Sequence, residues 1–215
     1  MPITFPISTT AFMRTLLIAE LSFDDPENVE TNITGGGEIM KAELAPQLWS
    51  GEATLGKMTD TEARNADVLL SLLRGPAATF FAYDTRRPGP QLDRNGAILG
   101  AAAVIINSLP TSREMSLSGL PAAYVLSRGD WLHFNYAGRR ALHRVVDVTV
   151  TASGTGVTPV FEVQPVVRAG AVTGTSITLI RAACKAVLVA GGVTKGTGAR
   201  TIYSGMSFRW QQTLR

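Results

Sequence analysis

The stretch Asp130-Trp131-Leu132-His133-Phe134-Asn135-Tyr136-Ala137-Gly138 decides the fold class. Its side chains alternate: Trp131, His133 and Asn135 fall on one side, Leu132, Phe134 and Tyr136 on the other. A strand projects successive side chains to opposite faces, so this pattern reads as a strand. Ala137-Gly138 supplies a turn, and residues 141–150 continue with Leu142, Val145, Val146, Val148 and Val150. Ser153-Gly154-Thr155-Gly156 is a second turn, before a third strand at 157–167. Further strands are expected at 176–180, 185–189 and 201–209. Short strands at this spacing, punctuated by glycine, predict a sandwich or barrel.

Toward the N-terminus, residues 12–23 are apolar and compatible with a strand, and 38–44 with 47–57 read as a strand pair anchored by Trp49. One helix is expected at 60–74. Thr59 and Glu62 have capping-box spacing. Ala63, Ala66, Leu69 or Leu70, and Leu73 make one apolar face. Gly75 suits a left-handed helix end, and Pro76 forbids continuation. Asp60, Glu62, Arg64 and Asp67 form the solvated face. An aromatic strand at 78–83 follows, then a Pro- and Arg-rich connection at 84–95, a small-residue extended segment at 96–107 and a polar loop through Ser118. The expected fold is mainly β with one short helix. A tube-like β-sandwich domain spans residues 1–112, and a second small sandwich or barrel spans 113–215.

Composition narrows the function. The chain has 215 residues, 45% of them hydrophobic and 17% charged, against a usual charged share of about 25%. Low surface charge suits a molecule whose neighbours cover much of it. The net charge is +3, and arginines pair only as Arg86-Arg87 and Arg139-Arg140, so no dense basic footprint points to sequence-specific nucleic-acid binding. No apolar run approaches the length of a membrane-spanning helix. No basic residue precedes Arg14, and the apolar stretch 16–19 is short, so cytoplasmic synthesis is expected.

Residues for chemistry are sparse. Cys184, the single cysteine, lies among alanines and reads as a small buried hydrophobe. His133 and His143 can approach across a hairpin, but two imidazoles make a poor metal site. Asp24 and Asp25 are sequence neighbours whose side chains usually point apart. Thr194-Lys195-Gly196-Thr197 lacks the order of a phosphate loop, and residues 191–200 read as a flexible cationic loop. Arg128-Gly129-Asp130 is a turn before the Trp131 strand. No catalytic, cofactor or metal-binding residue is expected, and no enzyme motif is present.

The module around Leu120-Pro121 and Leu126-Ser127-Arg128-Gly129-Asp130-Trp131-Leu132, continued by Leu142-His143-Arg144-Val145-Val146-Asp147 and Phe161-Glu162-Val163-Gln164-Pro165-Val166-Val167-Arg168, resembles a recurrent unit of tail proteins from long-tailed bacteriophages. The N-terminal half is similar to tail-tube-like proteins. Over residues 12–190, size and domain order look most like the distal tail protein. That resemblance implies a homohexameric ring around the DNA channel of the virion tail, between the tail-tube protein and the hub or tip protein, with the tape-measure protein as a further neighbour. Loops 84–95 and 191–200 are the expected subunit contacts. The competing readings are another minor tail or hub component, a host-surface binding module using Trp131, Tyr136 and Tyr203, and a hydrolase in which a histidine meets a carboxylate.

Overall fold

Strands and one helix follow one another along the chain in a computed structural model that describes residues 3–215. The first half carries β1 (Ile18–Leu21), β2 (Val29–Ile33), β3 (Ile39–Glu43), β4 (Ser50–Leu55), β5 (Met58–Thr59), α1 (Asp60–Leu72) and β6 (Phe80–Tyr83). Next come β7 (Ile105–Ser108), β8 (Glu114–Ser118), β9 (Val125–Ser127), β10 (Trp131–Tyr136), β11 (Arg139–Val145), β12 (Thr149–Thr151), β13 (Phe161–Gln164) and β14 (Ile177–Thr178). Two long strands, β15 (Ala183–Ala199) and β16 (Ile202–Gln212), close the sequence. The protein is mainly β, with a half-barrel sheet and a nearly closed barrel, as the alternation and turn spacing predict.

The half-barrel has the order β1-β4-β16-β15-β6, with β5 also pairing β16. The barrel has the order β14-β10-β11-β13-β8-β7. A bridge between Ile105 and Ser176 links its two ends. Closure of this kind removes the unpaired edges that an open sheet exposes.

This topology corrects a division at residue 112. β15 and β16 return to the first sheet, so the half-barrel is built from both ends of the chain and the barrel is inserted between β6 and β15. The cores follow the same partition. One gathers Phe12, Trp49, Phe80, Phe208 and Trp210, and the other gathers Met115, Leu117, Leu126, Phe134 and Phe161. The long β15–β16 hairpin draws the end of the chain back, because β16 finds β4 as a second partner and fills the sheet centre. At that crossing Gly51 is required: a Cβ there would lie 2.2 Å from the Ser22 carbonyl oxygen and 2.7 Å from the Trp210 ring.

The helix forms where its pattern places it, two residues shorter than expected. Ala63, Ala66 and Leu70 are buried, and Leu73 just beyond it is also buried. The Glu62 carboxylate accepts from the Thr59 backbone N–H at 2.9 Å and from its hydroxyl at 2.8 Å. Those bonds, the backbone one foremost, hold the Glu62 carboxyl below its ordinary range. Gly75 does not take the left-handed conformation expected of it; Leu73 closes the helix in right-handed geometry before Pro76.

Four local expectations change. Residues 12–23 are a strand only at 18–21; residues 9–15 coil through turns that bury Phe12 and Met13. Segments 38–44 and 47–57 do not pair with each other. Instead β3 pairs β2, and β4 pairs β1 and β16. The polar stretch before Ser118 contains β8, whose Ser116 is buried because Ser108 Oγ at 2.6 Å and Asn107 Nδ2 at 3.0 Å satisfy its hydroxyl. Residues 191–199 are not a loop but the outer half of β15, paired with β16 past a register shift between Leu188 and Val193.

Candidate functional site

The β10–β11 hairpin is the wall between the two cores. Its register runs from Trp131↔Arg144 to Tyr136↔Arg139, and opposed residues share a face. Trp131 and Leu142 enter the half-barrel core, whereas Leu132, Phe134 and Tyr136 enter the barrel core. The alternation of the sequence is therefore a division of labour between two interiors. The turn residues Ala137 and Gly138 both have positive φ, 44° and 75°, which matches the twist of a two-residue hairpin loop.

Trp131 sits 4.8 Å from Trp49 and 5.2 Å from Phe23, ring centre to ring centre, and Phe23 lies 4.6 Å from Trp210. Trp49 Nε1 donates to the Leu142 carbonyl oxygen at 2.8 Å. Arg140 stacks its guanidinium 3.8 Å above the Phe81 ring. Arg144 approaches Asp25 at 3.6 Å, and Gln164 Nε2 donates to the same carboxylate at 2.8 Å. Asp24 instead pairs through its backbone with Ser50. The two neighbouring carboxylates thus part company, and Asp25 ties the barrel to the half-barrel.

The histidines do not meet. His133 shares the Trp131 face, and His143 shares the Leu132 face. His133 Nδ1 accepts from the Ala183 backbone N–H at 3.2 Å, and burial depresses its pKa to about 3. His143 Nδ1 lies 2.6 Å from the Pro165 carbonyl oxygen, which requires the proton on Nδ1. Burial lowers its pKa to about 4, against the raising effect of that bond, and its ring stacks on Phe134 at 5.3 Å. Each is a neutral wall residue. Cys184 is fully buried between the sheets, and desolvation raises its thiol pKa, which opposes thiolate formation. Among the described residues, no group of three or more His, Cys, Asp or Glu is placed to hold a metal ion. No helix among them is long and apolar enough to cross a membrane.

The surface carries a different signal. β2 and β3 form a two-stranded sheet of their own, joined across the Gly35-Gly36-Gly37 turn and apart from both larger sheets. All five residues of β3 are exposed, and so are four of the five in β2. Ile33, Ile39, Met40 and Leu44 stand 62–66% exposed. β2 is not among the strands expected from the sequence. Its clue was Val29, Thr31 and Ile33 alternating before a glycine run, the ordinary hairpin signal.

Loop 84–95 is tied down by its own hydrogen bonds. Asp84 grips Arg86, Asp93 accepts from the Ile98 and Leu99 backbone N–H groups, and Asp130 accepts from Gln91 N at 2.9 Å. Burial opposes ionisation of Asp93, but those two bonds and the Tyr124 hydroxyl outweigh it and hold the carboxyl below its ordinary value. Trp131 and Tyr136, two of the three aromatics expected to present a binding face, are buried.

No protein-family model matches the chain, and no curated protein is significantly similar to it.

Proposed function

We propose that this chain is a structural subunit of a bacteriophage tail, a distal-tail ring protein that surrounds the DNA channel between the tail tube and the hub. The observation that carries this reading is the β2–β3 arm. A two-stranded hairpin is marginal in water by itself, and it persists when something covers its side chains. Four large apolar side chains on one small arm form the kind of exposed patch that marks an association surface. A second copy of the chain supplies that cover in a ring, where head-to-tail contacts repeat until rotation closes them.

Two further features support the reading. The half-barrel is an open sheet, and β15 beyond Leu188 pairs with β16 alone on one side, leaving backbone groups for a neighbouring strand. The mainly β architecture with one helix is also the one implied by the resemblance to distal tail proteins. Within that assembly the tail-tube and hub proteins are the stacking partners, the tape-measure protein lies nearby, and the destination is the virion tail.

The test is the mass of the purified protein by sedimentation across a concentration series, followed by negative-stain imaging. A six-fold ring with a central hole is the expected result. A particle that stays monomeric at every concentration and shows no ring overturns the proposal.

A further inference from the structure

A cleft of about 360 Å³ opens where loop 84–95 meets the turn between β9 and β10, and it is lined by Arg86, Arg87, Arg94, Arg128, Gly129 and Asp130. We propose that it is a binding site for a phosphate dianion, either free phosphate or a phosphate group carried on a small molecule such as a sugar.

The argument is one of charge and fixed geometry. Arg86 donates through Nε and Nη2 to the two oxygens of Asp84 at 2.9 and 3.1 Å. Arg94 is held by a bond from Nη2 to the Arg86 carbonyl oxygen at 2.9 Å, and Arg128 by one from Nε to the Val146 carbonyl oxygen at 2.7 Å. Carbonyl oxygens orient a guanidinium without cancelling its charge, and each guanidinium has five N–H donors, so most remain free. Arg87 has neither an ion pair nor a side-chain hydrogen bond among the described residues.

The opposing carboxylates are already engaged. Asp84 belongs to Arg86. Asp130 accepts from Gln91 N and, at 2.7 Å, from Ser127 N, although it still feels the charge of Arg87. Four guanidiniums line the cleft beside one lining carboxylate, Asp130, and with the buried Asp84 and Asp93 of the same loop counted the local charge is still positive by one. Like charges held together in a concavity repel unless an anion joins them. A phosphate group is drawn by the positive excess, and its three oxygens suit forked guanidinium donors better than a single carboxylate does.

Gly129 takes a φ of +88° in the turn beside Arg87, a backbone conformation that side chains disfavour. The arrangement is preorganised: three of the four arginines, Arg86, Arg94 and Arg128, are held by hydrogen bonds before any ligand arrives, which lowers the entropic cost of binding.

The experiment is isothermal titration of the purified full-length chain at low salt with sodium phosphate, glucose 6-phosphate and, as a monoanion control, acetate. Saturable one-site binding of phosphate or glucose 6-phosphate is expected, with acetate at least about tenfold weaker. The tighter of the two phosphates identifies a free or a sugar-borne ligand. R87Q should weaken phosphate binding by about tenfold or more with little change in the urea midpoint, since Arg87 makes no ion pair or side-chain hydrogen bond among the described residues and acts on Asp130 only through its charge. R94Q carries the same test if R87Q does not fold. No saturable binding of either phosphate, acetate binding as tightly, or undiminished binding in the folded variant overturns the site.

Discussion

The junction between the half-barrel and the barrel and the β2–β3 arm use the same kind of side chain to opposite ends. At the junction, Phe23, Trp49, Trp131 and Trp210 pack ring against ring, and the three tryptophans are buried. On the arm, Ile33, Ile39 and Met40 meet solvent on both faces of a two-stranded ribbon. The hydrophobic effect is proportional to apolar area taken from water and is blind to where that area lies. The junction has realised this stabilisation within one chain. The arm has not, and on our proposal a neighbouring subunit covers it. The contrast locates where folding ends and where, on our proposal, assembly begins.

The largest effect should come from breaking the junction. Trp131 fills the contact between the hairpin wall and the half-barrel, so Trp131→Ala leaves a cavity that rigid neighbours cannot collapse. A loss of about 3–5 kcal/mol is expected from urea unfolding. A loss under about 1 kcal/mol would mean that the two cores do not depend on this contact.

Next in size is the pH response of the same wall. His133 and His143 have folded-state values of about 3 and about 4, both below the ordinary 6.5. The unfolded chain therefore binds protons more readily between those values and 6.5. Stability is fully present above pH 6.5 and falls as the pH drops from there toward the folded values. Each histidine should account for about 2 kcal/mol between pH 7 and pH 5. Asp130, raised above its ordinary value by burial, acts in the opposite sense: its contribution is present below pH 3.8 and is lost as pH rises through its folded value. His143→Gln keeps a donor for the Pro165 carbonyl and should flatten the fall. If the variant's urea midpoint drops with acid as steeply as the parent's, His143 is not the cause.

How much of this was legible depended on range. The Asp130–Gly138 stretch revealed its strand, its turn and its two faces, because alternation and turn chemistry are local. The helix was legible for the same reason, through Thr59, Glu62 and the Ala63, Ala66, Leu70 spacing. What Trp131 packs against was not legible, since Trp49 and Phe23 lie about a hundred residues away. The return of β15 and β16 to the first sheet was hidden too. Nothing local in Ala183-Cys184-Lys185-Ala186 distinguishes pairing with Phe80–Tyr83 from pairing with a nearer strand. The glycines at 191, 192, 196 and 198 suggested a loop, yet they serve a strand register shift and a close crossing with β16. The arginine cleft assembles from loop 84–95 and residues 128–130, which no spacing rule connects.

A finer probe of the junction is the Arg140–Phe81 stack. The guanidinium belongs to the barrel's hairpin and the ring to an edge strand of the half-barrel. A double-mutant cycle with Arg140→Met and Phe81→Leu should give a coupling of about 1 kcal/mol. Additive single effects would show that the two groups meet without mutual stabilisation, leaving the aromatic cluster to hold the wall.

The smallest effect on stability should come from the arm, and that is what makes it informative. Replacing Ile33, Ile39 and Met40 together by threonine keeps strand-compatible side chains and removes apolar area that already faces water. The unfolding free energy of the single chain should change by no more than about 0.5 kcal/mol, the range of ordinary surface substitutions. On our proposal, self-association, measured by sedimentation beside the parent chain, should be abolished. The two readouts separate the explanations: a stability loss like that of Trp131→Ala would make the arm part of the fold, whereas an intact ring would place the subunit contact elsewhere. Only unchanged folding with lost association fits an arm whose apolar side chains are reserved for a neighbouring subunit.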